Sequence, residues 1–209
     1  MRRWVVIAAL VPLLALGACT GPDRTPSSST TTSASATANP SPPGTSTSTS
    51  SPATPPAGAD YGQRGFDLMR AERLGGLSYG MTRDAVVALL GAPATKSPPT
   101  VWGADGLTHD TYDYGPLGVS VDFAGTDAAS GTVVSYTVTT ASFGATSRGI
   151  AVGSTKAAVL AAYGADVDPA DPDASTPAQI VAGTFAGGVV FLLDAAGTVT
   201  SIFVGASAE

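Results

Sequence analysis

Residues 76–92, Gly-Leu-Ser-Tyr-Gly-Met-Thr-Arg-Asp-Ala-Val-Val-Ala-Leu-Leu-Gly-Ala, align without a gap on residues 149–165, Gly-Ile-Ala-Val-Gly-Ser-Thr-Lys-Ala-Ala-Val-Leu-Ala-Ala-Tyr-Gly-Ala. The offset is 73, and eight of the 17 positions are identical, namely the pairs that begin at Gly76, Gly80, Thr82, Ala85, Val86, Ala88, Gly91 and Ala92. Alanine and glycine are abundant in this chain and raise the chance level. Glycine, threonine and valine matched in register nevertheless describe one local conformation written twice. Leu77 or Ile150 enters a core. Gly80 or Gly153 permits a turn at positive φ. Thr82 or Thr155 is a natural N-cap, its hydroxyl accepting from a free helix amide. A short helix follows, with Ala85, Val86, Leu89 and Leu90 on one stripe and Ala158, Val159, Ala162 and Tyr163 on the matching one. Gly91 or Gly164 stops the helix in a left-handed conformation, and Pro93 reinforces the first stop.

Each helix is followed by a pattern of alternating strands. The first set is Thr108–Tyr114, Leu117–Ala124 and Thr132–Ala141, in which Val119, Val121 and Phe123 alternate, as do Val134, Tyr136 and Val138. After a second, acidic loop come Gln179–Phe185, Gly188–Asp194 and Thr198–Gly205. Residues 61–74, with Phe66, Met69, Arg70 and Arg73, read as a leading helix. The fold class is therefore α+β, with two tandem units of helix plus antiparallel β-meander at 60–147 and 148–209.

The motif Leu77, Gly80, Met81, Thr82, Val86, Leu89, Leu90, Gly91 and Pro93, followed by a meander, resembles the β-lactamase-inhibitor-like fold. That fold is shared by the inhibitor's tandem units and by small outer-membrane lipoproteins of the barrel-assembly machinery. The second copy keeps Ile150, Gly153, Thr155, Val159 and Gly164 and lacks the proline. The resemblance covers most of residues 74–205. It implies helices packed on one face of an antiparallel sheet, and protein binding rather than catalysis. Fold alone does not carry activity, and no partner-specific residue of the family maps onto this chain.

The N-terminus points to a location. Met1-Arg2-Arg3 is a positive region, Trp4 to Leu16 an apolar one interrupted by Pro12, and small residues lead to Cys19, the single cysteine of the chain. This is the layout of a secretory signal over residues 1–18. Its apolar run is shorter than the roughly 20 residues that span a bilayer. Leu16-Gly17-Ala18-Cys19 resembles the lipobox of bacterial lipoproteins. The resemblance implies acylation of Cys19, cleavage before it, and anchoring to the outer face of the bacterial cell membrane. Thr20 to Ala59 consists of Ser, Thr, Pro, Ala and Gly apart from Asp23, Arg24 and Asn39. With no large apolar residue, residues 19–59 are expected to be a disordered tether, with a mean span on the order of 35 Å.

Beyond residue 59 the chain carries 7 basic and 15 acidic residues, a net of −8. Nothing basic is clustered, which argues against a nucleic-acid partner and against direct adhesion to anionic lipid. The partners expected are the bilayer, through the acylated cysteine, and an envelope protein. Chemistry has few candidates. His109 lies among Asp105, Asp110 and Asp113, and a His–carboxylate pair beside the Thr111 hydroxyl suits general-base work. Asp166, Asp168, Asp171 and Asp173 resemble a calcium loop without its glycine and terminal glutamate. Trp102 with Tyr112 and Tyr114 offers an aromatic platform, or simply core. There is no phosphate-binding loop, thiol zinc site or dinucleotide fingerprint, so no cofactor is expected, and neither catalytic nor metal residues are assigned.

The function expected from these observations is a membrane-anchored, non-catalytic protein-binding or scaffold module, with a cell-envelope enzyme or a small-ligand-binding lipoprotein as alternatives. The expected contact surface is the sheet face around Leu192, Ile202 and Val204, bordered by His109, Asp113 and Asp122. It is motivated by the unbroken apolar run Val189-Val190-Phe191-Leu192-Leu193. The anchor gives the first prediction. Cys19→Ser should release the protein from the membrane fraction while its circular dichroism stays that of a folded domain. Continued membrane residence of the variant would refute acylation at Cys19.

Overall fold

The structure, a computed structural model, describes residues 60–206. The signal at 1–18, Cys19 and the tether at 19–59 lie outside the described residues, as do 207–209. Helix α1 (Tyr61–Ala71) opens on Asp60, whose carboxylate accepts from the Gln63 amide, and closes on Glu72. Helices α2 (Arg83–Leu90) and α3 (Lys156–Tyr163) begin as the sequence predicts. The Thr82 and Thr155 hydroxyls accept from the Ala85 and Ala158 amides at 3.3 and 3.2 Å. Gly80 and Gly153 take φ of +78° and +95° just ahead of these caps. Each donates its amide to a valine carbonyl, Val133 or Val199, at 2.8 Å.

The helix ends and stripes differ from expectation. Gly91 stops α2 at φ +82°, but Gly164 lies at φ −56° and leads into a 3-10 turn, Gly164–Asp166. The second helix tightens rather than reversing, so it needs no left-handed residue. Val86 is the buried residue of α2, and Val159 and Tyr163 are those of α3. Ala85, Leu89 and Ala158 face solvent. Eight residues make little more than two turns, so one row of side chains suffices to seat each helix.

The strands are β1 (Thr95–Lys96), β2 (Thr100–Val101), β3 (Thr108–Tyr114), β4 (Val119–Gly125), β5 (Thr132–Val138), β6 (Gln179–Thr184), β7 (Gly187–Leu193) and β8 (Val199–Gly205). Strand β4 starts at Val119 because Gly115–Leu117 form a 3-10 turn. Another such turn, Ala141–Phe143, follows the end of β5. All eight strands belong to one antiparallel sheet of order β1-β3-β4-β5-β8-β7-β6, with β2 also on β3. The sequence pattern predicts two meanders, one in each half of the domain. They merge because β5 and β8 pair, Tyr136 with Val204, Thr137 with Phe203 and Val138 with Ile202.

That pairing extends two apolar rows across both halves. One runs Tyr112, Val121, Tyr136, Val204, Val189 and Ala182, and the other Tyr114, Val119, Val138, Ile202, Phe191 and Ile180. All twelve side chains are buried. The Tyr163 ring of α3 packs on Phe191 with centroids 4.9 Å apart. The Arg83 guanidinium of α2 lies over the Phe123 ring at 4.6 Å and pairs with Asp110. Gly131 leaves the room that Arg83 occupies, since a Cβ there would strike the guanidinium. Helix α1 lies against the β6–β7 hairpin. Gly65 meets Gly183 and Gly187 backbone to backbone, leaving no room for a Cβ on either Gly65 or Gly183.

Strand β5 departs from simple alternation. The register shifts between Asp122 and Phe123, so that Asp122 faces Ser135 while Phe123 faces Val133. This bulge puts Val133 into the core beside Tyr136 and Val138. Val134, expected on the helix face, goes to the other side and is half-buried there.

Beneath the sheet, the Glu72 carboxyl group ties three segments together. One oxygen accepts from the Ser147 amide and hydroxyl, each at 2.6 Å, and from the Arg73 amide at 3.0 Å. The other accepts from the Tyr163 hydroxyl at 2.7 Å. Burial pushes the Tyr163 phenol well above its ordinary pKa, which keeps it a donor.

The two caps and the unlike stops are separable by denaturant melts. Thr82→Ala and Thr155→Ala should each cost about 1 kcal/mol. Gly91→Val should cost more than Gly164→Val, because only Gly91 has a positive φ that a β-branched residue resists. Equal costs for the two valine variants would contradict this difference in helix termination.

Candidate ligand pocket on the open sheet face

The face opposite the core is read from the same register. Thr111, Asp122 and Ser135 form one row across β3, β4 and β5. Asp113, Ser120, Thr137, Phe203, Val190 and Val181 form the next, reaching β6. The alternation at Ser120, Asp122, Ser135 and Thr137 was enough to place these polar residues together. Asp122 is held at both oxygens, by the Thr111 hydroxyl at 2.6 Å and the Ser135 hydroxyl at 2.7 Å.

The turn between β2 and β3 supplies an aromatic wall. The Trp102 and Leu107 backbones bond to each other across it, and the Asp105 carboxylate accepts from the Leu107 amide at 2.9 Å. This folds the indole flat onto the His109 imidazole, with ring centroids 3.9 Å apart and planes 8° from parallel. His109 is 8% exposed and Trp102 43%. His109 Nε2 meets Asp105 Oδ2 at 2.8 Å. The Leu107 amide first, and the His109 ring second, hold the Asp105 carboxyl below its usual range.

Beside this wall lies a pocket of about 490 Å³. Its aromatic lining is Phe66 from α1, Tyr79 ahead of α2, Trp102 and Phe203, and its polar lining is Asp105, His109, Asp122 and Ser135. Leu107, Ala124, Val134, Ala186 and Ala206 complete it. A smaller hollow of about 220 Å³ shares Trp102, His109 and Asp122. The pocket thus draws on α1 and on both meanders. Sequence patterning identified His109 and Asp122. It missed Phe66 and Tyr79, which no local periodicity marks as pocket residues, and Val134, which only the bulge delivers.

Other sequence-derived sites are redistributed. Tyr112 and Tyr114 point into the core, so Trp102 stacks on His109 instead of joining them. The Thr111 hydroxyl donates to Asp122, which separates it from the imidazole as a nucleophile–base pair. Asp110 is turned to the core, on Arg83. Asp113 is exposed on the open face, paired across to Ser120. In the acidic loop Asp166 binds Arg148 at 2.7 Å and Arg64 at 3.4 Å, while Asp168 and Asp171 cap their own turns. Among the described residues no three His, Cys, Asp or Glu side chains converge as a metal site.

The expected apolar contact surface is corrected as well. Ile202 and Val204 are fully buried in the core rows. Leu192 alone of the three reaches solvent, at 44% exposure, flanked across the ladder by Gln179 and Ser201. The apolar run in β7 is continuous because Val190 is also buried on the open side, next to Val181 and Phe203.

Comparison with family models, with curated proteins and with solved structures finds no match to this chain, so its geometry carries the functional reading. The reassigned strand face is open to a direct check. Leu192→Asp should change stability by no more than about 0.5 kcal/mol. Val204→Asp buries an unpaired charge and should abolish the cooperative melt. A Leu192→Asp variant that fails to fold would show that this position is core on both faces.

Proposed function

We propose that this chain is an exported lipoprotein, anchored to the outer face of the bacterial cell membrane by acylated Cys19, whose tethered domain is a non-catalytic ligand-binding module. The lipobox-like segment and the Ser/Thr/Pro-rich stretch after it support the anchor. Among the described residues no helix is long and apolar enough to cross a membrane.

The single observation that carries the binding reading is the pocket between Trp102, His109, Asp122 and Phe203. Its volume of about 490 Å³ lies within the roughly 300–1,000 Å³ of small-molecule sites, and its mix of aromatic walls with a few polar groups is theirs too. This favours a small ligand over a protein docked on a flat sheet. The residues that were to supply an apolar protein contact, Ile202 and Val204, are core. An enzyme is favoured least, because the Thr111 and Ser135 hydroxyls are both committed to Asp122.

The same proposal includes the finer fold, two copies of one β-lactamase-inhibitor-like unit of helix and three-stranded meander. Matching bridges support it. Thr82 pairs with Thr132 in one half and Thr155 with Thr198 in the other. If those threonines are equivalent, Thr137 sits opposite its own counterpart Phe203, and the two halves are related by a two-fold axis through that pair.

A thermal-shift screen of small molecules on the full chain tests the binding reading. Ligands at 100 times their dissociation constant should stabilise by about 2.7 kcal/mol, and Trp102→Ala should remove the shift while melting much as the parent does. Hits that shift Trp102→Ala equally would place binding elsewhere and end the pocket reading.

A further inference from the structure

We infer that the pocket selects a small organic cation, an ammonium compound with an apolar body. The inference rests on the proposal that the pocket is a ligand site, and it concerns which ligands the site admits. Two carboxylates, Asp105 and Asp122, line the pocket, and no lysine or arginine does. The Thr111 and Ser135 hydroxyls, one on each oxygen, fix the orientation of the Asp122 carboxylate. Asp105 is held in its ionised form by the Leu107 amide and the His109 ring.

Apart from His109, which lines the pocket and is bonded to Asp105, the basic side chains near the site are occupied elsewhere. Arg83 is under the sheet on Asp110, and Lys96 lies 4.4 Å from the Tyr112 ring centroid. Arg70 reaches the Phe66 ring at 5.8 Å and faces Asp67 at 3.8 Å, but it does not line the pocket. Four aromatic side chains, Phe66, Tyr79, Trp102 and Phe203, form the remaining walls. Aromatic faces attract a cation that has shed part of its water, and carboxylates at one side add to that attraction. The net charge of −8 beyond residue 59 draws cations toward the domain and disfavours anions at the same distance. The apolar lining, from Leu107, Val134 and three alanines, suits a hydrocarbon body rather than a bare metal ion.

Three probes of nearly equal size separate charge from shape, namely 2-phenylethylammonium, 2-phenylethanol and phenylacetate, titrated calorimetrically into the full chain at neutral pH. The ammonium should bind at least about tenfold more tightly than the alcohol, with the carboxylate weakest. Asp122→Asn should weaken the ammonium about tenfold and leave the alcohol unchanged. Asp105→Asn, at an exposed turn position, should act in the same direction and serves if Asp122→Asn melts early. Raising the salt concentration should weaken the ammonium alone. Equal affinity for alcohol and ammonium would overturn the cation inference while leaving the pocket as a ligand site. No saturable heat from any probe, in a chain that melts normally, would overturn it as well, and the thermal-shift screen then judges the pocket by itself.

Discussion

The antiparallel ladder between β5 and β8 joins the two halves of the sheet. Without it the sheet divides into β1 to β5 and β6 to β8. With it, Tyr136 and Val138 acquire Val204 and Ile202 as neighbours, and each apolar row doubles in length. The ladder also makes the pocket, because it sets Phe203 and Ala206 beside Val134, Ser135 and Asp122. Core and site therefore share one cause. The pairing that removes apolar side chains from water on one face assembles aromatic and acidic groups from distant segments on the other.

Polar groups under the sheet fix how the remaining elements sit. Glu72 accepts from Ser147, in the link between the meanders, and from Tyr163 at the end of α3, while α1 itself rests on the β6–β7 hairpin through Gly65. A buried carboxyl group with four donors is costly to break, since each donor left behind would also be unsatisfied. Arg83 and Asp110 make the corresponding tie in the first half, with the guanidinium over the Phe123 ring. Several of their nitrogen and oxygen atoms have no other partner, namely Arg83 Nε and Nη2 and Asp110 Oδ1. This pair fixes geometry more than it adds stability.

The sequence announced what is local and periodic. Thr82 and Thr155 cap helices because a hydroxyl next to free amides has little else to do, and the repeat made both visible. The alternation of Val119, Val121 and Phe123 against Ser120 and Asp122 gave the two faces of β4 directly. What stayed hidden depends on partners far along the chain. The run Val189 to Leu193 has no alternation that sets its faces, and the β5–β8 ladder turns Ile202 and Val204 inward, where the sequence pattern predicts an open face. The bulge opposite Asp122 reverses Val134 and leaves no trace in composition. Trp102 was recognisable as an aromatic of interest, but not its partner, since His109 reaches it only through a turn closed by Asp105. Glu72 was unreadable for the same reason. A single acidic residue at a helix end looks like solvent-facing charge until Ser147 and Tyr163 arrive.

The arrangement about Thr137 and Phe203 has a consequence for dividing the protein. An interior strand presents backbone donors and acceptors on both sides, and β5 has its second side covered by β8 alone. A chain ending near residue 147 would keep β4 on one side of β5 and leave the backbone groups on its other side unpaired. An unpaired edge of this kind is a template for strand pairing with another chain. The half-protein would escape solvent by self-association, as a dimer through β5 or as an aggregate. The intact chain avoids that fate by carrying the covering strand within itself.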